Sequence, residues 1–234
     1  ALGVTIVAGG WLAPVSGLVF IGGIVLTAAA TVQPVAGSLG PSRGVVTRAY
    51  LAALVAVTIG ASFATLQLAG WEPVVDAWAR LRPVHAWLNL IGFVSLVIAT
   101  TLLHFFPTVV GARIAQHPGA RLTITGIGGG AAVVAAGYLI ESGLLGRLGA
   151  TVCLVGAAAL MVYAERIWRT RARWTTDLEW HRVAIFGLVS AIGWFGVGIL
   201  ILAGRAWAFG AAPGGWSRRM SCASRCSRST APRT

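Results

Sequence analysis

The sequence predicts an all-α fold, a polytopic transmembrane bundle of about six helices. Hydrophobic residues make up 57% of the 234-residue chain, and charged residues only 10%. The mean hydropathy is +0.82, and apolar runs of about 20 residues, the length that crosses a bilayer, recur along the chain. A water-soluble domain of this size needs a largely polar surface, which this composition cannot supply. We therefore expect a multi-pass protein of the cell (plasma) membrane, with the lipid bilayer as its main partner.

Six apolar runs define the predicted spans, with the turn Gly9-Gly10 and Pro14 marking the start of the first helix. They lie at roughly 11–33, 46–69, 84–109, 122–145, 148–168 and 183–208. Residues 1–8 are too short to span, and we interpret them as the end of an earlier helix. The predicted bundle covers 1–209, as the C-terminal part of a larger membrane domain. Residues 210–234 are Ser/Arg-rich and are predicted to be a disordered tail, with a change of composition that suggests an out-of-frame end.

The distribution of arginine predicts the orientation of the bundle. All 18 basic residues are arginines, against six acidic residues. Nine arginines lie in the loops after spans one, three and five, and four lie on the opposite side, so the positive-inside rule places the first side in the cytoplasm. The arginines do not form a stripe with stacking aromatic residues, and we expect no nucleic-acid partner.

Several function classes have no residues to support them. No acidic residue lies in the middle of a span, which argues against a proton pump or an ion-coupled carrier. The chain contains no Walker loop, no G-x-S-x-G and no HExxH motif. Its three cysteines (Cys153 in an apolar run, Cys222 and Cys226 in the tail) do not form a metal-ligand set.

Small residues predict where the helices pack closely, because spans in lipid associate through close contact and polar bonds. Gly126 and Gly130 have GxxxG spacing in span four, and a patch of small residues begins at Gly156 in span five. A third predicted packing seam, in span six, comprises Gly193, Gly196 and Gly198.

The most informative polar residues lie in span three. At 100° per residue, His85, Asn89, Gly92 and Leu96 fall on one narrow helical face. A histidine that binds haem iron needs an acceptor for its other ring nitrogen and room for a flat macrocycle. An amide one turn away and a glycine below it are typical of such a site. The same pattern is equally typical of a polar helix face packed against another span, and the spacing leaves both interpretations open.

The other three histidines are weaker candidates. His104 lies about 28 Å along the axis from His85, so the two cannot share one iron, and it ends its helix at the cytoplasmic interface. His104 and His181 both lie on the cytoplasmic side, where they could hold a six-coordinate haem, although the spacing does not require it. His117 is predicted to be an ordinary loop residue.

The stretch HAWLNLIGFVSLVIATTLLHFFPTVVGARI, which begins at His85, resembles a span of actinobacterial integral-membrane copper oxidases. In that family a membrane region distantly similar to the catalytic subunit of haem-copper oxidases precedes an extracytoplasmic cupredoxin domain of the nitrite-reductase type. His85, Asn89, Gly92, Thr100 and Pro107 match the family pattern. Trp87 and Ala99 replace a histidine and a glycine of that pattern, and the chain has no cupredoxin ligands.

The resemblance implies a membrane redox module. It would bind haem b with His85 as an axial ligand, or anchor an extracytoplasmic copper domain and pass electrons towards it. The alternative is a structural anchor or assembly subunit without a cofactor, in contact with other membrane subunits. A third hypothesis, a small-solute channel, is supported only by the glycine-rich spans and lacks inverted repeats.

Overall fold

The computed structural model describes residues 10–36, 43–112, 118–171 and 182–209. Throughout these ranges the regular secondary structure is helical, and six of the helices are long and apolar enough to cross a membrane. The prediction of an all-α bundle with six spans is therefore confirmed. The predictions for residues 1–8, for the tail 210–234 with Cys222 and Cys226, and for His117 and His181 fall outside the described residues.

Seven helices follow one another along the described chain. They are α1 (Leu12–Ala36), α2 (Arg43–Leu68), the short α3 (Glu72–Asp76), α4 (Trp78–Val109), α5 (Pro118–Leu139), α6 (Gly143–Arg169) and α7 (Arg182–Phe209). Helix α4 is composite: an α-helical segment, Trp78–Trp87, continues into a π-helix, Leu88–Ser95, and then into a second α-helical segment, Leu96–Val109. It begins six residues before the predicted start of span three.

The turn between α5 and α6 corrects one predicted boundary. Span four was predicted to continue to residue 145, but α5 ends at Leu139. Glu141 adopts a positive φ of 56°, and the Ser142 N–H donates to the carbonyl of Gly137 at 2.8 Å, which is a Schellman ending. The Ser142 side chain then caps α6. Hydropathy does not detect this turn because apolar residues surround it. Arg147, which falls between the predicted spans four and five, consequently lies inside α6.

Two other helices end in the same way, but with glycine in the left-handed position. Gly70 follows α2 with a φ of 72°, and Gly111 follows α4 with a φ of 64°. In each case the next N–H donates to a carbonyl five residues back, Trp71 to Leu66 at 3.1 Å and Ala112 to Pro107 at 2.8 Å. Glycine adopts this conformation without steric cost, so the ends of α2 and α4 are fixed locally by sequence.

Helices α5 and α6 form the closest packing seam of the bundle. The contacts pair Gly126 with Gly156, Gly130 with Cys153, and Gly137 with Gly146. A Cβ atom added to Gly126 would lie only 2.6 Å from the Cα atom of Gly156, so the two backbones are almost in contact. Glycine lets helices in lipid approach this closely and gain dispersion contacts. The seam predicted at Gly126, Gly130 and Gly156 is confirmed.

The seam predicted in span six is found only at Gly196. Among the described residues, a Cβ atom added to Gly193 or Gly198 would meet nothing within 4 Å, and one added to Gly196 would lie 3.0 Å from the side chain of Met161, in α6. Helix α7 also packs on α5 and α6 through Ala203 and Ala206, which are buried in one cluster with residues of those helices. Small residues occur on several faces of α7, and their spacing alone does not say which face meets a neighbour.

Helix α4 lies at the centre of the bundle and packs against α2, α5 and α6. Half of the residues in the most apolar stretch of α4 are buried. In the corresponding stretches of α1 and α7, only 6% and 11% of the residues are buried. Helix α1 packs on α2, and α7 packs on α6. Within the described residues, these two helices therefore lie at the edges of the bundle.

Two polar bonds join α4 to its neighbours in its second half. The Tyr50 hydroxyl of α2 lies 2.8 Å from the Thr101 hydroxyl. The Tyr163 hydroxyl of α6 donates to the carbonyl of Leu103 at 3.2 Å. Pro107, four residues after Leu103, has no N–H to donate to that carbonyl. Tyr163 therefore supplies a hydrogen bond that the helix itself cannot make.

Candidate functional site

Polar side chains of α4 meet the backbone of α2 at the end of the bundle where α3 and the α5–α6 turn lie. We call this set the His85 group: the His85 and Asn89 side chains, the Gly60 carbonyl and the Trp78 ring. His85 is half-buried in the first segment of α4, and Asn89 follows one turn later, in the π-helix. The Trp78 and His85 ring centroids lie 6.2 Å apart. The arginine distribution predicts that this end faces outwards.

Both ring nitrogens of His85 have partners within the group. Nδ1 lies 2.7 Å from the carbonyl oxygen of Gly60, and a carbonyl can only accept, so Nδ1 carries the proton. The Asn89 Nδ2 atom lies 3.0 Å from Nδ1 and 3.3 Å from Nε2. Since Nδ1 carries the proton, it cannot accept from the amide, and the Asn89 Nδ2 atom, almost equidistant from both nitrogens, packs against the imidazole ring rather than along the Nε2 lone pair. The ring thus connects α4 to the backbone of α2 and is held by its own helix.

The glycine at position 60 makes this arrangement sterically feasible. A Cβ atom there would lie 2.7 Å from Oδ1 and 2.8 Å from Nδ2 of Asn89, well inside van der Waals contact. The Asn89 amide occupies the space that a larger residue would fill. Gly60 therefore contributes both its carbonyl, to His85, and its missing side chain, to Asn89.

Gly92 lies against α2 rather than beside open space. A Cβ atom at this position would lie 2.9 Å from the Cβ atom of Ala56 and 3.9 Å from that of Ala131. Side chains of α2 and α5 thus lie directly against Gly92 in this packing, and the predicted room for a flat macrocycle stays a prediction. Gly92 instead allows the close approach of α2 and α4.

The predicted single face of span three is wrong for Leu96. Asn89 and Gly92 face α2, but the Leu96 side chain lies 3.2 Å from the position that a Cβ atom of Gly128, in α5, would take. Asn89 and Gly92 lie within the π-helix Leu88–Ser95 and Leu96 follows it, so the wider π-helical turn changes the angle on which the α-helical prediction depended. The Ser95 hydroxyl donates to the carbonyl of Leu90, five residues earlier, at 2.9 Å. π-Helical turns within α-helices are frequent at functional sites.

His104, the second predicted cofactor-binding histidine, lies in the last segment of α4. Its side chain is exposed, and its ring makes an edge-to-face contact with Phe105 at 6.1 Å. It does not join the His85 group, in agreement with the predicted axial separation. A haem between His104 and His181 stays a prediction because His181 lies outside the described residues.

Further residues at this end were not identified from the sequence as members of a site. Trp87 hydrogen-bonds the Tyr138 side chain of α5, and Arg80 pairs with Glu141 at 3.6 Å. The sequence offered Trp87 only as a departure from a family pattern. Its indole N–H is a donor that needs an acceptor when buried, and that requirement was the available signal. The Gly60 carbonyl gave no signal, because every residue has one.

Within the described ranges, no three His, Cys, Asp or Glu side chains come together in a group able to hold a metal ion. Metal ligation by His85 would therefore depend on ligands from a cofactor or from residues outside the described ranges. Comparison of the chain with models of protein families, with curated proteins and with solved structures found no match.

Proposed function

We propose that this bundle is a structural module of the cell membrane, an anchor or assembly subunit whose polar residues join helices rather than hold a cofactor. The observation that supports this proposal is the state of His85. Its Nδ1 atom is bound to the Gly60 carbonyl and its ring lies against the Asn89 amide of the same chain, so the most ligand-like residue of the sequence is used for packing between α2 and α4.

The other polar residues of the spans favour the same function. The hydroxyls of Thr58, Thr65, Thr100 and Thr123 donate to carbonyls four residues earlier in their own helices. Such bonds satisfy a hydroxyl inside a membrane without a ligand. An anchor also needs stable packing between its helices, and the glycine seam between α5 and α6 provides it.

The partner of such a subunit is part of the proposal. Helices α1 and α7 form the edges of the bundle, and most of their surface is available to lipid or to another membrane subunit. The extracytoplasmic copper domain that the sequence resemblance implies is one such partner, and it would lie at the His85 end.

The test is a paired measurement on protein purified in detergent, with His85→Ala and Asn89→Leu as variants. A structural function predicts a colourless wild type and two variants that unfold more readily, by roughly 0.5–2 kcal/mol for each interhelical hydrogen-bonding group lost. Tyr50→Phe is a matched control, because it removes the Tyr50–Thr101 hydrogen bond between α2 and α4 and leaves the His85 group unchanged. A Soret band in the wild type that disappears in His85→Ala would contradict the proposal.

Haem b binding is the second candidate, and one observation favours it. The bond from Nδ1–H to the Gly60 carbonyl fixes the tautomer in which Nε2 carries the lone pair, as axial histidines require. His85 would then be the ligand, and Asn89 would have to turn away from Nε2. Bound haem would supply one-electron transfer. Asn89→Ala should increase haem occupancy on this interpretation, as judged from the ratio of Soret to protein absorbance after reconstitution with haemin.

A further inference from the structure

The charged side chains of the described residues are distributed unevenly between the two ends of the bundle. At the His85 end, four arginines are accompanied by three acidic residues: Arg80, Arg82, Arg147 and Arg205, with Glu72, Asp76 and Glu141. We call the opposite end the arginine-rich end, and its described, exposed arginines are Arg48, Arg121, Arg166, Arg169 and Arg171. The one acidic residue described there, Glu165, pairs with Arg169 at 2.7 Å. Most of the excess positive charge of the described residues therefore lies at the arginine-rich end.

Three helices bring these arginines together. Helix α5 begins at the end of the bundle where α4 finishes, and α6 runs back beside α5, so the last turn of α6 lies near the start of α5. The hydrogen bond between Tyr50 and Thr101 places the start of α2 at the same end. Arg48 lies five residues inside α2, Arg121 lies three residues inside α5, and Arg166 and Arg169 lie in the last turn of α6. These four arginines therefore belong to helix ends and not to a loop that projects from the bundle.

The length of α6 places the arginine-rich end at the level of the lipid headgroups. Helix α6 has 27 residues and is about 40 Å long, whereas the hydrocarbon core of a bilayer is about 30 Å thick. Its last turn therefore reaches the headgroup layer, where the half-buried Trp168 is typical of an interface residue. The Arg171 Cζ atom lies 4.5 Å from the Trp168 ring centroid, and its Nη1 atom donates to the Trp168 carbonyl at 3.0 Å. These two contacts keep the Arg171 charge at that level.

Exposed apolar side chains adjoin the arginines and indicate the kind of partner. Leu122, which follows Arg121, is 47% exposed, and Val162, one turn before Arg166, is 51% exposed. Such a surface matches the boundary between acyl chains and headgroups, where arginine places its charge among the headgroups and its stem along apolar groups. A water-soluble protein could cover the charges, but it would have to displace lipid from the apolar side chains beside them. An anionic phospholipid covers both, because its acyl chains meet the apolar side chains while its phosphate accepts hydrogen bonds from the guanidinium groups.

We propose that the arginine-rich end selects anionic phospholipids from the surrounding bilayer through the charge of its exposed arginines. Clusters of this size next to membrane spans attract anionic headgroups. The attraction decays over about 8 Å at physiological ionic strength, so the arginines of the His85 end do not contribute to it across the bilayer. This proposal is independent of the function proposed for the His85 group.

The test compares spin-labelled phosphatidylglycerol with spin-labelled phosphatidylcholine as probes of the lipid next to the full chain, reconstituted in phosphatidylcholine vesicles. Electron paramagnetic resonance gives the motionally restricted fraction of each probe. The wild type should prefer phosphatidylglycerol by at least threefold, and Arg48→Gln combined with Arg121→Gln should reduce that preference at least twofold. Arg80→Gln combined with Arg82→Gln is the matched control, because it removes the same charge from exposed arginines of the His85 end and should keep the wild-type preference.

Three outcomes would overturn the proposal. Equal preferences in the two glutamine variants would show that the lipid responds to the net charge of the chain and not to this end. A wild type without any preference would leave the exposed arginines to an acidic protein partner. Arg48→Lys combined with Arg121→Lys keeps the charge and should retain the preference, so a loss as large as that of the glutamine variant would also contradict selection by charge. Far-UV circular dichroism and the elution profile of each variant verify that it folds.

Discussion

Replacing Gly126 by alanine should destabilise the bundle, because the glycine seam leaves no room for a methyl group. The added Cβ atom would lie 2.6 Å from the Cα atom and 2.8 Å from the N atom of Gly156. Carbon atoms in contact prefer about 3.5–4.0 Å, so α5 and α6 would have to separate by about 1 Å at this level. The atoms in the way belong to the backbone of α6, which cannot turn aside as a side chain can.

The expected magnitude follows from a comparison with Gly129 of the same helix. Overpacking of this kind costs about 1–3 kcal/mol. Alanine also favours a helix over glycine by up to about 1 kcal/mol, and this gain applies to both positions. A Cβ atom at Gly129 would meet nothing within 4 Å. The free energy of unfolding should therefore be about 1–3 kcal/mol lower for Gly126→Ala than for Gly129→Ala.

The assay is reversible unfolding in mixed micelles with increasing SDS, followed by tryptophan fluorescence. Cysteine labelling gives a second readout, because Cys153 is wholly buried at the same seam. In a background with Cys222→Ser and Cys226→Ser, maleimide should modify Cys153 faster in Gly126→Ala than in Gly129→Ala. Equal stability and equal labelling of the two variants would refute the assignment of this seam.

Three further substitutions test separate contacts. Glu141→Gly should raise the free energy of unfolding by about 1 kcal/mol in thermal or SDS denaturation, because a side chain at a φ of 56° is strained. Glu141→Gln should change it little, since the ion pair with Arg80 is exposed. A loss of stability in both variants would contradict this reasoning. Tyr163→Phe should lower stability by about 1 kcal/mol in the same assay, because it leaves a buried carbonyl without its donor; an unchanged midpoint would mean that another group reaches that carbonyl. Gly60→Ala should displace the Asn89 amide and lower stability by about 1–3 kcal/mol. Gly22→Ala is its control, because no described atom lies within 4 Å of a Cβ atom there. Equal effects of the two substitutions would argue against the His85 group.

The six spans could be predicted from the order of residues alone, because a bilayer requires about 20 consecutive apolar residues and this property is local. The shared helix face of His85 and Asn89 was equally predictable, since their spacing of four residues fixes it. The ends of α2 and α4 at Gly70 and Gly111 follow from glycine chemistry. The boundary at residue 145 failed because the Ser142 turn lies within a continuous apolar stretch.

What these residues contact depends on how the helices pack together. Gly126 and Gly193 look alike in sequence, yet one faces another backbone and the other faces no neighbour among the described residues. The partner of His85 is the Gly60 carbonyl, and a backbone group carries no sequence signature. The π-helix that turned Leu96 away from Asn89 depends on the packing around α4. In lipid, apolar surface does not choose between helix faces, so contact geometry decides which small or polar residue meets which.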